Sequence, residues 1–301
     1  MEVAPGIHRI ESVLGPRPFS QYLLRGERSL LVDTGVKETP GEVVLPYFRE
    51  LGFDPATLDF VLNSHADVDH FGGNAAVRAA CPDALFCAHV ADSPWIESRE
   101  RIMLERYGWY EEFGLGYPDE VFAWLRDAMG PEVPVDVALT GDEEVRLGPE
   151  LTVRILHLPG HTAGHLGVWE PRSRTAIVLD AVMALGLLDT EGNVIHPPPV
   201  PHVSEYEQTV KLLQGLEPAR LLTAHYAVME GEEVDRFLAD SLAFIESARA
   251  AVSRALADDP ELTLAGLLAR TDPELGPFTS MPNELAATLR GVLRERGLEA
   301  R

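Results

Sequence analysis

Apolar positions in this chain change rhythm twice. Residues 7–14 and 20–33 alternate or run apolar as strands do, with Gly26-Glu27 as the turn between Tyr22–Leu24 and Ser29–Val32. The segment Glu42–Leu51 takes up helical spacing through Val43, Tyr47 and Leu51; Gly52 stops it, and Pro46 predicts a short or irregular helix. Leu58–Leu62 reads as a strand, Asn74–Ala80 as a helix and Ala84–Ala88 as another short strand. Strand signals return at Glu144–Leu147, Leu151–Leu156, Gly167–Glu170, Thr175–Leu179 and Leu221–Ala224, with a helix over Ser204–Gly215 before the last of them. This alternation predicts a layered α/β architecture.

Two stretches depart from it. Within 92–130, Asp92 can cap a helix holding Trp95, Ile96, Met103 and Leu104, and a second helix runs from about Asp119 to Met129. Eight of the chain's 22 aromatics fall there: Trp95, Tyr107, Trp109, Tyr110, Phe113, Tyr117, Phe122 and Trp124. Such residues suit ligand walls, and a helical hairpin with its own small core accounts for them equally well. From about Gly231 strand signals stop. Val234, Phe237, Leu238, Leu242, Ile245, Ala248, Val252 and Leu256 form the apolar stripe of one long helix. Thr263 can cap a helix through Arg270, and Pro282 can open a last one ending at Gly297. The expected organisation is an α/β domain over 1–231, with an inserted helical segment at 92–130, and a helical C-terminal region over 232–301.

Composition narrows the function classes. The chain has 301 residues and a formal net charge of −23, which opposes non-specific nucleic-acid binding. No apolar run is long enough to span a bilayer, and the first residues lack a signal-peptide pattern, so a cytoplasmic protein without membrane attachment is expected. Cys81 and Cys87 are the only cysteines and read as small core residues rather than a disulfide framework.

Candidate chemistry is concentrated after the strand Leu58–Leu62. There His65, Asp67, Asp69 and His70 crowd into six residues, and Gly72-Gly73 follow. Burying ionised carboxylates without partners is very costly, so a bound divalent cation would make this arrangement favourable; a polar surface loop is the alternative. Three further candidates also follow strands: His161 in the turn Pro159–His165, Asp180 after Leu179, and His225 after Ala224. The ends of neighbouring strands meet at one sheet edge, so these side chains could converge.

Four blocks in this order resemble the metallo-β-lactamase-fold hydrolase superfamily: His65-x-Asp67-x-Asp69-His70, Gly160-His161-Thr162-x-Gly164-His165, Asp180 and His225. The resemblance spans roughly residues 5–230. It implies an αβ/βα sandwich of two mixed β-sheets with helices outside, here with an all-helical C-terminal appendage. It also implies two divalent metal ions. His65, the residue at 67 and His161 would hold the first; Asp69, His70 and His225 the second; Asp180 would bridge them. The family has His where this chain has Asp67. A hard oxygen there weakens the preference for zinc and opens the site to manganese or iron. The added negative charge would also bring the loaded site from about +1 to about neutral.

The resemblance implies hydrolysis with a metal-bound hydroxide as nucleophile and Asp69 orienting it or taking its proton. Tyr226 could donate to a developing oxyanion, or simply pack. Asp33 resembles a family acid that hydrogen-bonds near the site, with a plain turn acid as the alternative. His165 is expected to orient its loop, with metal binding the alternative; His196 and His202 to lie solvated on a rigid Pro-rich surface turn, with facing substrate the alternative; and His8, His89 and His157 to be structural. A small-molecule ester, thioester or lactone is the expected substrate. RNA or phosphodiester cleavage, a non-catalytic metal-binding role, and a homodimer formed through the C-terminal helices remain alternatives.

Overall fold

The computed structural model describes residues 1–301. Its first sheet has seven strands in sequence order: β1 (Glu2–Ala4), β2 (Ile7–Leu14), β3 (Arg17–Arg25), β4 (Ser29–Val32), β5 (Phe60–Leu62), β6 (Leu85–His89) and β7 (Val137–Leu139). The first four pair antiparallel and β4 to β7 run parallel. The second sheet contains β8 (Glu144–Arg146), β9 (Thr152–His157), β10 (Leu166–Glu170) and β11 (Thr175–Ile177), then β14 (Arg220–Leu222) and β15 (Met229–Glu230). The hairpin β12 (Leu187–Leu188) and β13 (Val194–His196) stands apart. β14 joins the second sheet parallel to β11.

Strand alternation sorts side chains into layers. Tyr22, Leu24, Leu30, Val32 and Leu62 of the first sheet meet Val153, Ile155, Leu166, Val168, Ile177 and Leu222 of the second in an inner core. The intervening Leu23, Leu31, Val61 and Phe86 face outward onto Phe48 of α1 (Leu45–Glu50) and, after the short α2 (Val68–Phe71) that carries Asp69 and His70, onto Val77 of α3 (Asn74–Ala80). On the other side Trp169, Ala176 and Leu221 face α7 (Val203–Leu216) and the C-terminal helices α8 (Glu232–Asp258), α9 (Leu264–Leu275) and α10 (Leu285–Glu295). This is the expected four-layer sandwich with helices at its C-terminus.

The C-terminal helices are not a separate body. Their stripe is buried in the same 47-residue cluster as Trp169, Leu221 and the aromatic segment. That segment contains α4 (Ser93–Ile96), α5 (Arg99–Ile102), irregular helical turns, and α6 (Asp119–Ala128). It supplies Tyr107, Tyr110 and Tyr117 to this core while leaving Trp95 and Trp109 partly exposed. The Pro-rich stretch expected at the surface is instead buried from His196 to Val200. It runs under α10, where Thr288 Oγ1 donates to Pro198 O and accepts from Val200 N.

Candidate metal centre

The site forms where strands of both sheets end together. β4 and β5 are parallel, which brings Asp33 beside the ligand loop; β11 and β14 are parallel, which brings Asp180 beside His225. Leu166 N donates to Ser64 O at 2.7 Å and stitches the two edges together. Asp33 (φ 63°) and Leu179 (φ 49°) both take left-handed backbone here, a conformation that costs non-glycine residues energy and clusters at functional sites.

Each of four histidines is anchored from behind through Nδ1. His70 Nδ1 meets Asp33 Oδ2 at 2.7 Å, His161 Nδ1 meets Pro199 O at 2.9 Å and His225 Nδ1 meets Pro18 O at 2.9 Å. His65 Nδ1 meets Ser64 Oγ at 2.9 Å, and that hydroxyl already donates to Asp33 Oδ2, so it must accept from His65. Every partner is an acceptor, so Nδ1 carries a proton in all four rings and Nε2 points inward; that of His161 in turn meets the Asp67 carboxylate. Nε2 of His65, His70 and His225 is buried without a hydrogen-bond partner. Buried polar atoms are rarely left orphaned, and outer partners that fix ring and tautomer are the mark of metal-ligating histidine.

The ligand atoms form two triads, each within 4.8 Å: His65, His161 and Asp180, and Asp69, His70 and His225. Asp180 Oδ2 lies 3.2 Å from His70 Nε2 and 3.4 Å from His225 Nε2, so this acid of the first triad also borders the second. These residues fit a pair of divalent cations. Burial and the imidazoles of His70, His165 and His161 push His65 well below the usual histidine range. Burial opposes charge on His70 too, but Asp180, Asp33 and Asp69 raise it well above that range.

Asp67 stands beside the first triad and outside both. Its Oδ1 accepts from Arg106 Nε at 2.9 Å and its Oδ2 from Arg106 Nη2 at 3.0 Å. Oδ2 also lies 3.0 Å from His161 Nε2, and Tyr107 Oη donates to Oδ1 at 3.3 Å. Burial resists ionisation of Asp67, yet Arg106 and His161 hold it well below the carboxylate range. The positive charge of Arg106 thus offsets that of Asp67, and Arg106 also faces Glu284.

Tyr226 is engaged by backbone carbonyls in this structure. Its hydroxyl donates to the carbonyls of Met183 and Gly186 and braces the chain after Asp180. Asp33 does bond into the site, through both Ser64 and His70. His165 is fully buried, stacks on His65 with centroids 4.5 Å apart, and has neither nitrogen paired. His196 is buried against Glu284, its Nε2 3.5 Å from Oε2.

Four participants carry no sequence motif. Besides Arg106, Asp92 sits at a helix start but spends its carboxylate elsewhere. It accepts from Ala66 N at 3.1 Å, Thr162 Oγ1 at 2.6 Å and Gly164 N at 2.8 Å, tying the first ligand loop to the second. A Cβ on residue 164 would lie 2.6 Å from Asp92 Oδ1, so glycine is needed there. Arg17 approaches Asp69, with Nη2 3.8 Å from Oδ2. Glu284, at the start of α10, accepts from Tyr117 Oη at 2.7 Å and lies 3.7 Å from Arg106 Nη2. The cavity over the triads is small, about 30 Å³, roughly the share of one water. Trp124, Leu125, Met183, Leu187 and Met281 give it apolar walls.

Comparison with known proteins identifies the family and the fold. The profile of the metallo-beta-lactamase superfamily matches residues 14–225. The chain is 23% identical over 246 residues to the "Probable metallo-hydrolase YflN" of Bacillus subtilis (strain 168), covering 77% of this chain and 88% of that protein. It is 26% identical over 167 residues to an "N-acyl homoserine lactonase" of a Bacillus species, covering 48% of this chain and 54% of the other. The crystal structure of a metallo-beta-lactamase family protein from Thermus thermophilus superposes with a TM-score of 0.70 at 19% identity, over 98% of this chain and 95% of that one. The shared fold therefore includes the C-terminal helices.

Proposed function

The chain belongs to the metallo-beta-lactamase superfamily, and from that premise we propose that it is a metal-dependent hydrolase of a small-molecule ester, thioester or lactone. The observation that supports this reading best is the common inward direction of the orphaned Nε2 atoms of His65, His70 and His225, ringed by Asp69 and Asp180. Four imidazoles and two carboxylates suit zinc. The engagement of Asp67 by Arg106 supports zinc over manganese or iron. Bound metal ions would supply Lewis acidity and a more acidic water.

The chain's own groups supply the rest. Asp69 faces the cavity with Arg17 beside it, so its carboxylate is placed to orient a water and take its proton. Arg106 keeps Asp67 ionised next to His161. The apolar side chains on the cavity wall would limit access of water to the scissile bond. The lactonase relative makes lactones the first class to try.

Elemental mass spectrometry of the purified protein tests the centre, and a panel of esters, thioesters and lactones tests the chemistry. About two metal ions per chain, lost on His70→Ala, with turnover abolished by Asp69→Ala, is the expected result. A wild-type protein that binds no divalent metal would remove the reading.

A further inference from the structure

A second cavity, about 260 Å³, adjoins the metal centre and shares His161 and Pro199 with it. Its volume falls just below the usual range of ligand pockets, roughly 300–1,000 Å³. Trp95 and Trp109 of the aromatic segment form one wall, and Arg290 and Arg294 of α10 another; Arg106, which grips Asp67, also lines it.

The charge here runs against the rest of the molecule. The chain holds 48 acidic residues against 25 basic ones, yet Arg290 and Arg294 form no ion pair. The adjacent acid Glu295 is turned away, onto Arg249 and Ser204. The single acid lining the cavity, Glu105, is held by Trp95 Nε1 at 2.8 Å and Arg101 Nε at 3.0 Å. Arginines four residues apart share one helix face, where like charges repel. Arg290 is also half-buried and clamped, its guanidinium carbon 4.8 Å from the Trp109 centroid and 5.3 Å from that of Phe113. Burial and Arg294 work against its charge and outweigh Glu112, which favours it. Two guanidinium groups without an ion-pair partner, that of Arg290 held against aromatic faces, match an oxyanion attached to a flat or apolar group.

We propose that this cavity binds the anionic end of the substrate, a carboxylate or phosphate carried on a flat or apolar group, while the bond to be cleaved lies at the neighbouring metal centre. This substrate class rests on the hydrolase reading; the anion site itself does not.

Calorimetric titration of the full-length, metal-loaded protein tests it, with phenyl phosphate, benzoate and neutral benzyl alcohol as probes. At least one anion should bind, and benzyl alcohol at least tenfold more weakly. Arg290→Gln/Arg294→Gln should weaken anion binding at least tenfold at unchanged metal content, and the exposed Arg294→Gln alone about threefold, which keeps the test alive should the double variant misfold. A preference between the two anions identifies the headgroup. No anion binding, equal binding of the neutral probe, or anion binding that ignores both substitutions would overturn the proposal; in the last case the anions sit on the metals. Arginine-dependent binding in a protein that hydrolyses no ester, thioester or lactone of the panel keeps the anion site and rejects the hydrolase reading. Ester hydrolysis with arginine-independent binding does the reverse.

Discussion

The carboxylate of Asp67 meets the guanidinium of Arg106 fork to fork, 2.9 Å from Oδ1 to Nε and 3.0 Å from Oδ2 to Nη2. Removing one partner of such a buried pair strands the other charge and costs about 3–5 kcal/mol. Arg106→Met should lose that much stability in urea unfolding without metal. Zinc should restore part of it, because Asp67 is then free to bind the ion. A loss below about 1 kcal/mol, the scale of an exposed pair, would show that Arg106 is not what stabilises Asp67.

Asp92→Ala would leave the amides of Ala66 and Gly164 and the Thr162 hydroxyl without their acceptor. At about 1–3 kcal/mol for each group left unsatisfied in the interior, the variant should unfold several kcal/mol more easily and retain less metal after dialysis. Asp92→Asn keeps one carbonyl acceptor and should lose less. Full metal retention by Asp92→Ala would refute the brace.

Tyr226→Phe should change kcat/KM less than about threefold, because the hydroxyl is committed to the carbonyls of Met183 and Gly186. It should cost about 1 kcal/mol in thermal unfolding, the net worth of a buried hydrogen bond. A hundredfold fall in kcat with KM unchanged would return Tyr226 to the reacting atoms.

Glu284 gives a pH signature. Burial opposes its ionisation, but Arg106 and His196 outweigh that and hold the carboxyl down to about 2, against an ordinary 4.5. A depressed acid adds stability above its unfolded value and loses it as the pH falls towards its folded one. Wild type should therefore exceed Glu284→Gln by a constant margin at neutral pH, on the order of 3 kcal/mol at most. The margin should shrink below about pH 4.5. A margin independent of pH down to about 3 would mean that the carboxylate's charge is not what matters.

The sheets, the C-terminal helices and the candidate ligands were legible because local patterns encode them. Alternation gave the strands, and each of His65, His161, Asp180 and His225 follows a strand or its extension. Arg106, Asp92 and Glu284 were not legible, since each acts across 26 or more residues of chain, as in the 39 between Arg106 and Asp67. Nothing adjacent to them marks the contact. Asp92 shows the limit well: a helix-start acid has an ordinary local explanation, and only tertiary structure reveals that its oxygens face two other loops. The Pro-rich turn at 196–202 was read as surface because proline breaks regular structure; α10 covers it, and Thr288 satisfies its backbone instead. The same composition that suggested a ligand wall in the aromatic segment also fitted a small core, and its residues do both.

The brace at Asp92 divides the molecule into parts that can yield and parts that cannot. The loops bearing His65 and His161 come from different sheets, and Asp92 fastens one to the other. Trp124, Leu125 and Met281 line the cavity over the triads without touching that brace, and so form the part of its wall that can give way to a larger substrate. Admission and metal retention are therefore governed by different residues. Substitutions that loosen that wall would broaden what enters without spilling the metals, which makes it the place to retune selectivity.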